Sequence, residues 1–115
     1  MSGFAFSHQF SKRWLTTPTP VKHAIIQELD DIAEYIALDN VAAASALVKE
    51  VFGKIHRLEM FPQSGRIPAE LPNSIYREVV VPPCRVFYRE EESRVFILYV
   101  MREERQLRAY ILENS

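Results

Sequence analysis

From Val21 onward the apolar positions keep a helical rhythm. Ile25, Leu29, Ile32 and Ile36 recur at spacings of four, three and four, with Glu28, Asp31 and Glu34 on the opposite side. Asp39-Asn40 breaks the rhythm with residues that favour turns and helix N-caps. A second helix follows from Val41, with Ala44, Leu47, Val48, Val51, Ile55 and Leu58 as its apolar stripe. It stops at Phe61-Pro62, because proline disfavours helical geometry in the residue before it. The short link predicts an antiparallel helix hairpin. Gly53 falls inside the second helix at a cost near ~1 kcal/mol relative to alanine, and close packing is the expected reason for it.

After a loop-like stretch, FPQSGRIPAELPNS at 61–74, the period changes to two. Three strands are predicted at roughly 75–81, 84–90 and 94–101, divided by Pro82-Pro83 and Glu91-Glu92. Links this short make antiparallel neighbours. Near the start, FAFSHQF at 4–10 alternates weakly and predicts a short first strand. SKRWLTTPTP follows as a connector, since Pro18 and Pro20 do not suit a helix interior, and Trp14 and Leu15 are expected to dock on the core. The final EERQLRAYILENS predicts a short terminal helix. The fold class is therefore α+β. An N-terminal strand leads into a two-helix hairpin packed on an antiparallel sheet, whose C-terminal three-stranded meander ends in a short helix. At 115 residues, the whole of 1–115 reads as a single domain.

Pairing the last two strands about Glu91-Glu92, with Arg89 opposite Arg94 and Phe87 opposite Phe96, sorts the side chains into two faces. Val86, Tyr88, Val95, Ile97, Tyr99 and Met101 make one uniformly buriable face, assigned to the helices. Arg85, Phe87, Arg89, Arg94, Phe96, Leu98, Val100 and Arg102 make the other, a hydrophobic centre ringed by guanidinium groups. Such a surface suits a protein partner or a nucleic-acid backbone. The competing expectation is a half-solvated face with Phe87 and Phe96 covered by the terminal helix. A slip of one residue inverts every assignment.

Composition narrows the classes. The apolar fraction of 48% is that of a globular chain, which excludes disorder as the default. A net charge of −1 argues against coating nucleic acid through bulk charge. The cations are unevenly placed: the lysines end at Lys54, and the nine cations after it are all arginine, the residue whose planar fork matches phosphate and carboxylate. Cys84 is the one cysteine and cannot form an internal disulfide, which agrees with a reducing compartment. No apolar run approaches the ~18 residues that cross a bilayer. MSGFAFSHQFSKRW lacks the apolar core of a secretory signal, so a cytoplasmic location is expected. His8, His23 and His56 show no metal-ligand spacing and read as surface residues. Neither a metal nor a cofactor is expected.

The run YIALDNVAAASALVKEVFGKIHRLEMFPQSGR resembles the helix hairpin and following loop of RelE/ParE-superfamily toxins: aromatic-Ile-Ala, a turn, an alanine-rich second helix, then Phe-Pro and Gly-Arg. REVVVPPCRVFYRE is similar to their Arg-Glu-hydrophobic strand and the arginine-tyrosine strand after it, and VFILYVMREERQL to their last strand and its basic end. The likeness spans about residues 31–108. One departure is that Arg102-Glu103-Glu104-Arg105 stands where ParE-like chains often carry a His-Gly-Arg-Arg type run.

The resemblance implies the toxin of a type II toxin-antitoxin system, bound and neutralised by a cognate antitoxin. ParE-like members poison DNA gyrase without a known catalytic site of their own, and RelE-like members cut messenger RNA in the ribosomal A site. The ParE-like activity is the leading expectation, ribosome-dependent endoribonuclease the alternative, and a non-toxic interaction module of the same fold a third. A metal-independent nuclease must stabilise a pentacoordinate phosphorus and move protons. Arg85, Arg102 and Arg105 are the candidates for the charge and Tyr110 for the proton, with Glu103 and Glu104 as further candidates. A tyrosine with an ordinary pKa near ~10 needs neighbouring cations to act as a base. The residues expected to bind a partner are Arg77, Arg85, Phe87, Arg89, Phe96, Arg102 and Arg105. The partners implied are the antitoxin and gyrase, or the ribosome and messenger RNA under the alternative, with no membrane.

Overall fold

The computed structural model describes residues 19–92 and 94–113, apart from the side chains of Thr19, Pro20, Ala109 and Tyr110. The expected strand at 4–10, the docking of Trp14 and Leu15, and His8 lie outside the described residues. Helix α1 spans Thr19–Ala37 and starts two residues earlier than the apolar stripe indicates. Pro20 sits in its first turn, where a missing N–H breaks no intrahelical bond. Asn40 caps α2 (Val41–Leu58), its Oδ1 accepting from the Ala43 N–H at 3.0 Å. The second helix closes at Leu58, three residues short of Phe61, and Glu59 forms its C-cap. Three strands follow, β1 (Tyr76–Val81), β2 (Cys84–Glu91) and β3 (Arg94–Arg102), then the short α3 (Ala109–Glu113). The sheet order is β1-β2-β3 with antiparallel pairing throughout. This is the α+β arrangement that the periodicities predict. Among the described residues, no helix is long and apolar enough to cross a membrane.

The helix pair packs on one face of the sheet, α1 over β3 and α2 over β1. Ile25, Leu29, Ile32 and Ala33 from α1 and the whole predicted stripe of α2 are buried there with Val81, Cys84, Val86, Tyr88, Ile97 and Val100. Gly53 is not closely packed. A Cβ built on it meets nothing within 4 Å among the described residues, so its presence in α2 has no packing reason.

The strand register corrects the predicted faces. Glu91 pairs with Arg94 and Arg89 with Phe96, so the β2–β3 link is two residues shorter than expected. A shift of two keeps the parity, and Val95 and Ile97 remain on the helix side. Between Phe87 and Tyr88 the register slips once more, because β3 carries an extra residue: Tyr88 faces Ile97, whereas Phe87 faces Tyr99. This bulge reverses the parity of the rest of β3. Tyr99 and Met101, expected under the helices, turn to the opposite face, and Val100 and Arg102 move to the helix side. Arg85 and Arg102 therefore lie on different sides of the sheet.

The opposite face is also not an open surface. Phe87, Leu98 and Met101 are buried under Leu107 and Leu112 of the C-terminal segment, with Leu71, Tyr76, Phe96 and Ile111 packed around them. The sheet is sandwiched between a helical layer and a second, smaller layer made by the 66–75 loop and the chain after β3.

Candidate functional site

Arg85 sits at the centre of the second layer, 8% exposed. The turn at Pro82-Pro83 pairs Val80 with Arg85, which sets Arg85 diagonally beside Glu78 on the same face of β1. Its Nε donates to Glu78 Oε1 at 2.7 Å, and its two Nη atoms donate to the two oxygens of Glu70, each at 2.7 Å. The guanidinium also lies over the Phe87 ring, 4.9 Å from the centroid. Glu78, itself buried, uses its other oxygen to accept from Arg66 Nε at 3.0 Å. Glu70 accepts from the Leu107 N–H at 3.2 Å, and the Arg105 carbonyl accepts from Arg85 Nη1 at 3.5 Å. One cation thus ties together β1, the 66–75 loop and the C-terminal segment.

The electrostatics follow from these contacts. The Arg85 guanidinium pulls the Glu70 carboxyl down to about 2, and Glu70, followed by Glu78, drives Arg85 still further into its charged form. Every group of this guanidinium faces a carboxylate, a carbonyl or a ring. The residue expected to reach out toward phosphate is an internal strut here.

A second set of contacts fastens the 61–66 stretch to the sheet. The Gly65 N–H donates to the Tyr88 hydroxyl at 2.9 Å, and that hydroxyl donates to the Pro62 carbonyl at 2.7 Å. Arg77 Nη1 donates to the Gly65 carbonyl at 2.8 Å. A Cβ on Gly65 would stand 2.5 Å from the Tyr88 oxygen and 2.7 Å from the Glu78 carbonyl, so glycine is required by close approach. Burial raises the Tyr88 phenol above its usual value, and it serves as a hydrogen-bonded post.

The other predicted residues separate. Arg89 stacks 4.6 Å from the Phe96 ring centroid and pairs with Glu91 at 3.5 Å, near the β2–β3 turn. Arg94 is exposed in that same hairpin. At the far end of β3, Arg102 lies 5.4 Å from the ring centroid of Tyr35 on α1 and pairs with Glu104, which holds it further into its charged form. Arg105 reaches Glu28, also on α1, at 3.7 Å. The structure brings Arg102 and Arg105 together beside α1 and keeps Arg85, Phe87, Arg89 and Phe96 on the other side. Phe87 is fully buried and presents no surface. Tyr110 belongs to α3, but its side chain lies outside the described residues.

His23 and His56 are exposed on the helices. Cys84 is buried, its thiol pushed up to about 11 by desolvation, which leaves it unreactive as a nucleophile. Among the described residues, no group of three or more His, Cys, Asp or Glu could hold a metal. Glu70 and Glu78, which decide what Arg85 does, are absent from the residues singled out by sequence. The Glu78–Arg85 diagonal was readable from the Pro82-Pro83 turn, whereas Glu70 lies in a loop whose path has no periodic signal.

Beside Arg102 the hairpin tip exposes Tyr35, Leu38 and Val41, at 65%, 81% and 64%. An exposed aromatic and aliphatic patch with an arginine beside it has the composition of a protein-binding surface.

A family model described as the ParE toxin of the type II toxin-antitoxin system, parDE, matches residues 21–107, most of the chain. No curated protein matches it.

Proposed function

The chain belongs to the ParE toxin family of type II toxin-antitoxin systems, and we propose that it arrests growth in the cytoplasm by binding DNA gyrase until a cognate antitoxin neutralises it. The observation that carries this reading is the fate of the arginines. Cleavage of RNA needs cations gathered around one phosphate with a proton carrier beside them. Here Arg85 is consumed by Glu70 and Glu78, and Arg102 and Arg105 stand on the other side of the sheet. That dispersal supports a binding role over a catalytic one. The surface we assign to the target is the hairpin tip, Tyr35, Leu38 and Val41, with Arg102 and Arg105 at its border.

The test is reconstitution. The purified chain added to gyrase and plasmid DNA is expected to inhibit supercoiling and trap broken DNA, and Leu38→Asp or Tyr35→Ala is expected to remove the effect. Induction in cells is expected to give growth arrest with DNA breaks. Messenger RNA cleaved at the ribosomal A site, lost in Arg102→Ala, would replace this reading with the endoribonuclease one. An intact chain that leaves growth unchanged would leave the non-toxic module.

A further inference from the structure

Lys54 and Arg57 stand one turn apart on α2, and among the described residues neither meets a carboxylate. Arg66 spends its Nε on Glu78 Oε2 at 3.0 Å. Its two Nη groups have no partner among the described residues, and 70% of its side chain is exposed. These cations border two open clefts that meet at Ser64. The smaller, about 270 Å³, is lined by Lys54, Ser64 and Arg66 and backed by β1 at Glu78 and Val80. The larger, about 530 Å³, is mainly apolar and is lined by Arg57, Phe61 and Pro62. Small-molecule sites run to about 300–1,000 Å³, so the pair has room for a compact ligand and no more.

Hydrogen-bond donors converge on the smaller cleft. The Glu78 backbone N–H and C=O point away from β2 and pair with Arg66, at 2.7 and 3.0 Å. Period-two geometry turns the Val80 N–H the same way, and it meets no partner among the described residues. The Ser64 hydroxyl, also in this cleft, is likewise without a partner among them. Glu78, the carboxylate in the wall, is already neutralised by Arg66 and Arg85.

The two clefts differ in kind. One end offers an ammonium, a guanidinium, a hydroxyl and a backbone N–H, and the other offers the ring of Phe61, which is 55% exposed. That layout fits a small anion of high charge joined to a flat ring. A phosphomonoester carries about −1.5 to −2 charges at pH 7 and three strong acceptor oxygens, and a nucleobase stacks on an aromatic side chain. The net charge of −1 does not oppose such a ligand, because one phosphate needs local cations and not a basic surface.

We propose that the paired clefts form a nucleotide-binding site. The phosphate sits between Lys54, Arg66, the Ser64 hydroxyl and the Val80 N–H, and the base lies against Phe61 with Arg57 at its edge. Among the described residues lining the clefts there is no histidine, tyrosine or unengaged carboxylate to move a proton, so the site binds and does not cut. It does not depend on the toxin reading. A free mononucleotide and the 5′-phosphorylated end of a strand present the same chemistry to it.

The experiment titrates the ¹⁵N-labelled full chain with adenosine 5′-monophosphate, adenosine, inorganic phosphate, and a short single strand of DNA with and without a 5′-phosphate. The amides of Ser64, Gly65, Arg66 and Val80 are expected to shift saturably with the nucleotide or the phosphorylated strand, and the tighter of these two names the source. Adenosine and phosphate are each expected to bind at least about tenfold more weakly, because each keeps half of the contacts. Lys54→Ala and Phe61→Ala are each expected to weaken nucleotide binding about fivefold or more. Should either variant lose its dispersed spectrum, Arg57→Ala on the exposed side of α2 replaces it with the same expectation. The proposal is overturned if those amides do not move, or if phosphate alone binds as tightly as both phosphorylated ligands, which would mean an adventitious ion only. It is equally overturned if removing the 5′-phosphate changes nothing, or if folded variants keep full affinity.

Discussion

The two faces of the sheet hold their covers by different physics. Beneath the helices lies a dry layer of aliphatic side chains in which Leu29, Val51, Val86 and Val100 are almost wholly removed from water. On the other face five buried apolar residues share the work with a four-member chain of charge, Arg66–Glu78–Arg85–Glu70. The first layer gains mainly from apolar area, which is insensitive to pH. The second depends on charges that are stable when paired and expensive when one partner is removed. The difference teaches that an arginine in an aromatic strand can be a strut as readily as a contact. The carboxylates within its reach decide which.

The comparison is most easily broken at its charged centre. Arg85→Ala leaves Glu78 and Glu70 facing a vacated cation site and is expected to cost about 3–5 kcal/mol, measured by urea unfolding. Leu29→Ala in the helical layer is expected to cost about 2–5 kcal/mol through its cavity, so at neutral pH the two losses are of similar size. A denaturation series in acid separates them. The folded-state value of Glu70 is depressed to about 2 from the usual 4.5, so its contribution is fully present above about 4.5 and is lost as the pH falls toward 2. The penalty of Glu70→Gln is therefore expected to shrink across that window, while that of Leu29→Ala holds steady. A flat penalty for Glu70→Gln from neutral pH to 2 would show that the pair does not stabilise the second layer.

Smaller changes sharpen the contrast at the borders of the two layers. Tyr88→Phe keeps the ring in the helical core and removes the hydroxyl shared by the Gly65 N–H and the Pro62 carbonyl, at about 1–3 kcal/mol. Faster amide exchange at Gly65 in that variant would confirm that the loop is released. Gly53→Ala is expected to stabilise the chain by about 0.5–1 kcal/mol, because α2 gains helix propensity and the added methyl meets open space. A loss of stability there would mean that something outside the described residues packs on Gly53.

Much of the molecule was readable before any coordinates. The spacing of Ile25 through Leu58, the Asn40 cap and the paired breaks at Pro82-Pro83 and Glu91-Glu92 determine two helices, their turn, the strand order and the antiparallel sense. These are local consequences of period and of turn chemistry. The same reasoning placed Val86, Tyr88, Val95 and Ile97 correctly, because an even error in hairpin length leaves parity intact.

Only the tertiary structure decided the remainder. The bulge opposite Phe87 and Tyr88 reversed the end of β3, and alternation carries no mark of an inserted residue when both neighbours, Leu98 and Tyr99, are apolar. The path that brings Glu70 onto Arg85 is set by long-range packing of an aperiodic loop. Sequence determined which residues carry charge and which strands hold them. Whether a guanidinium ends in water or against a half-buried carboxylate depended on a contact fifteen residues away, and local periodicity contains nothing about it.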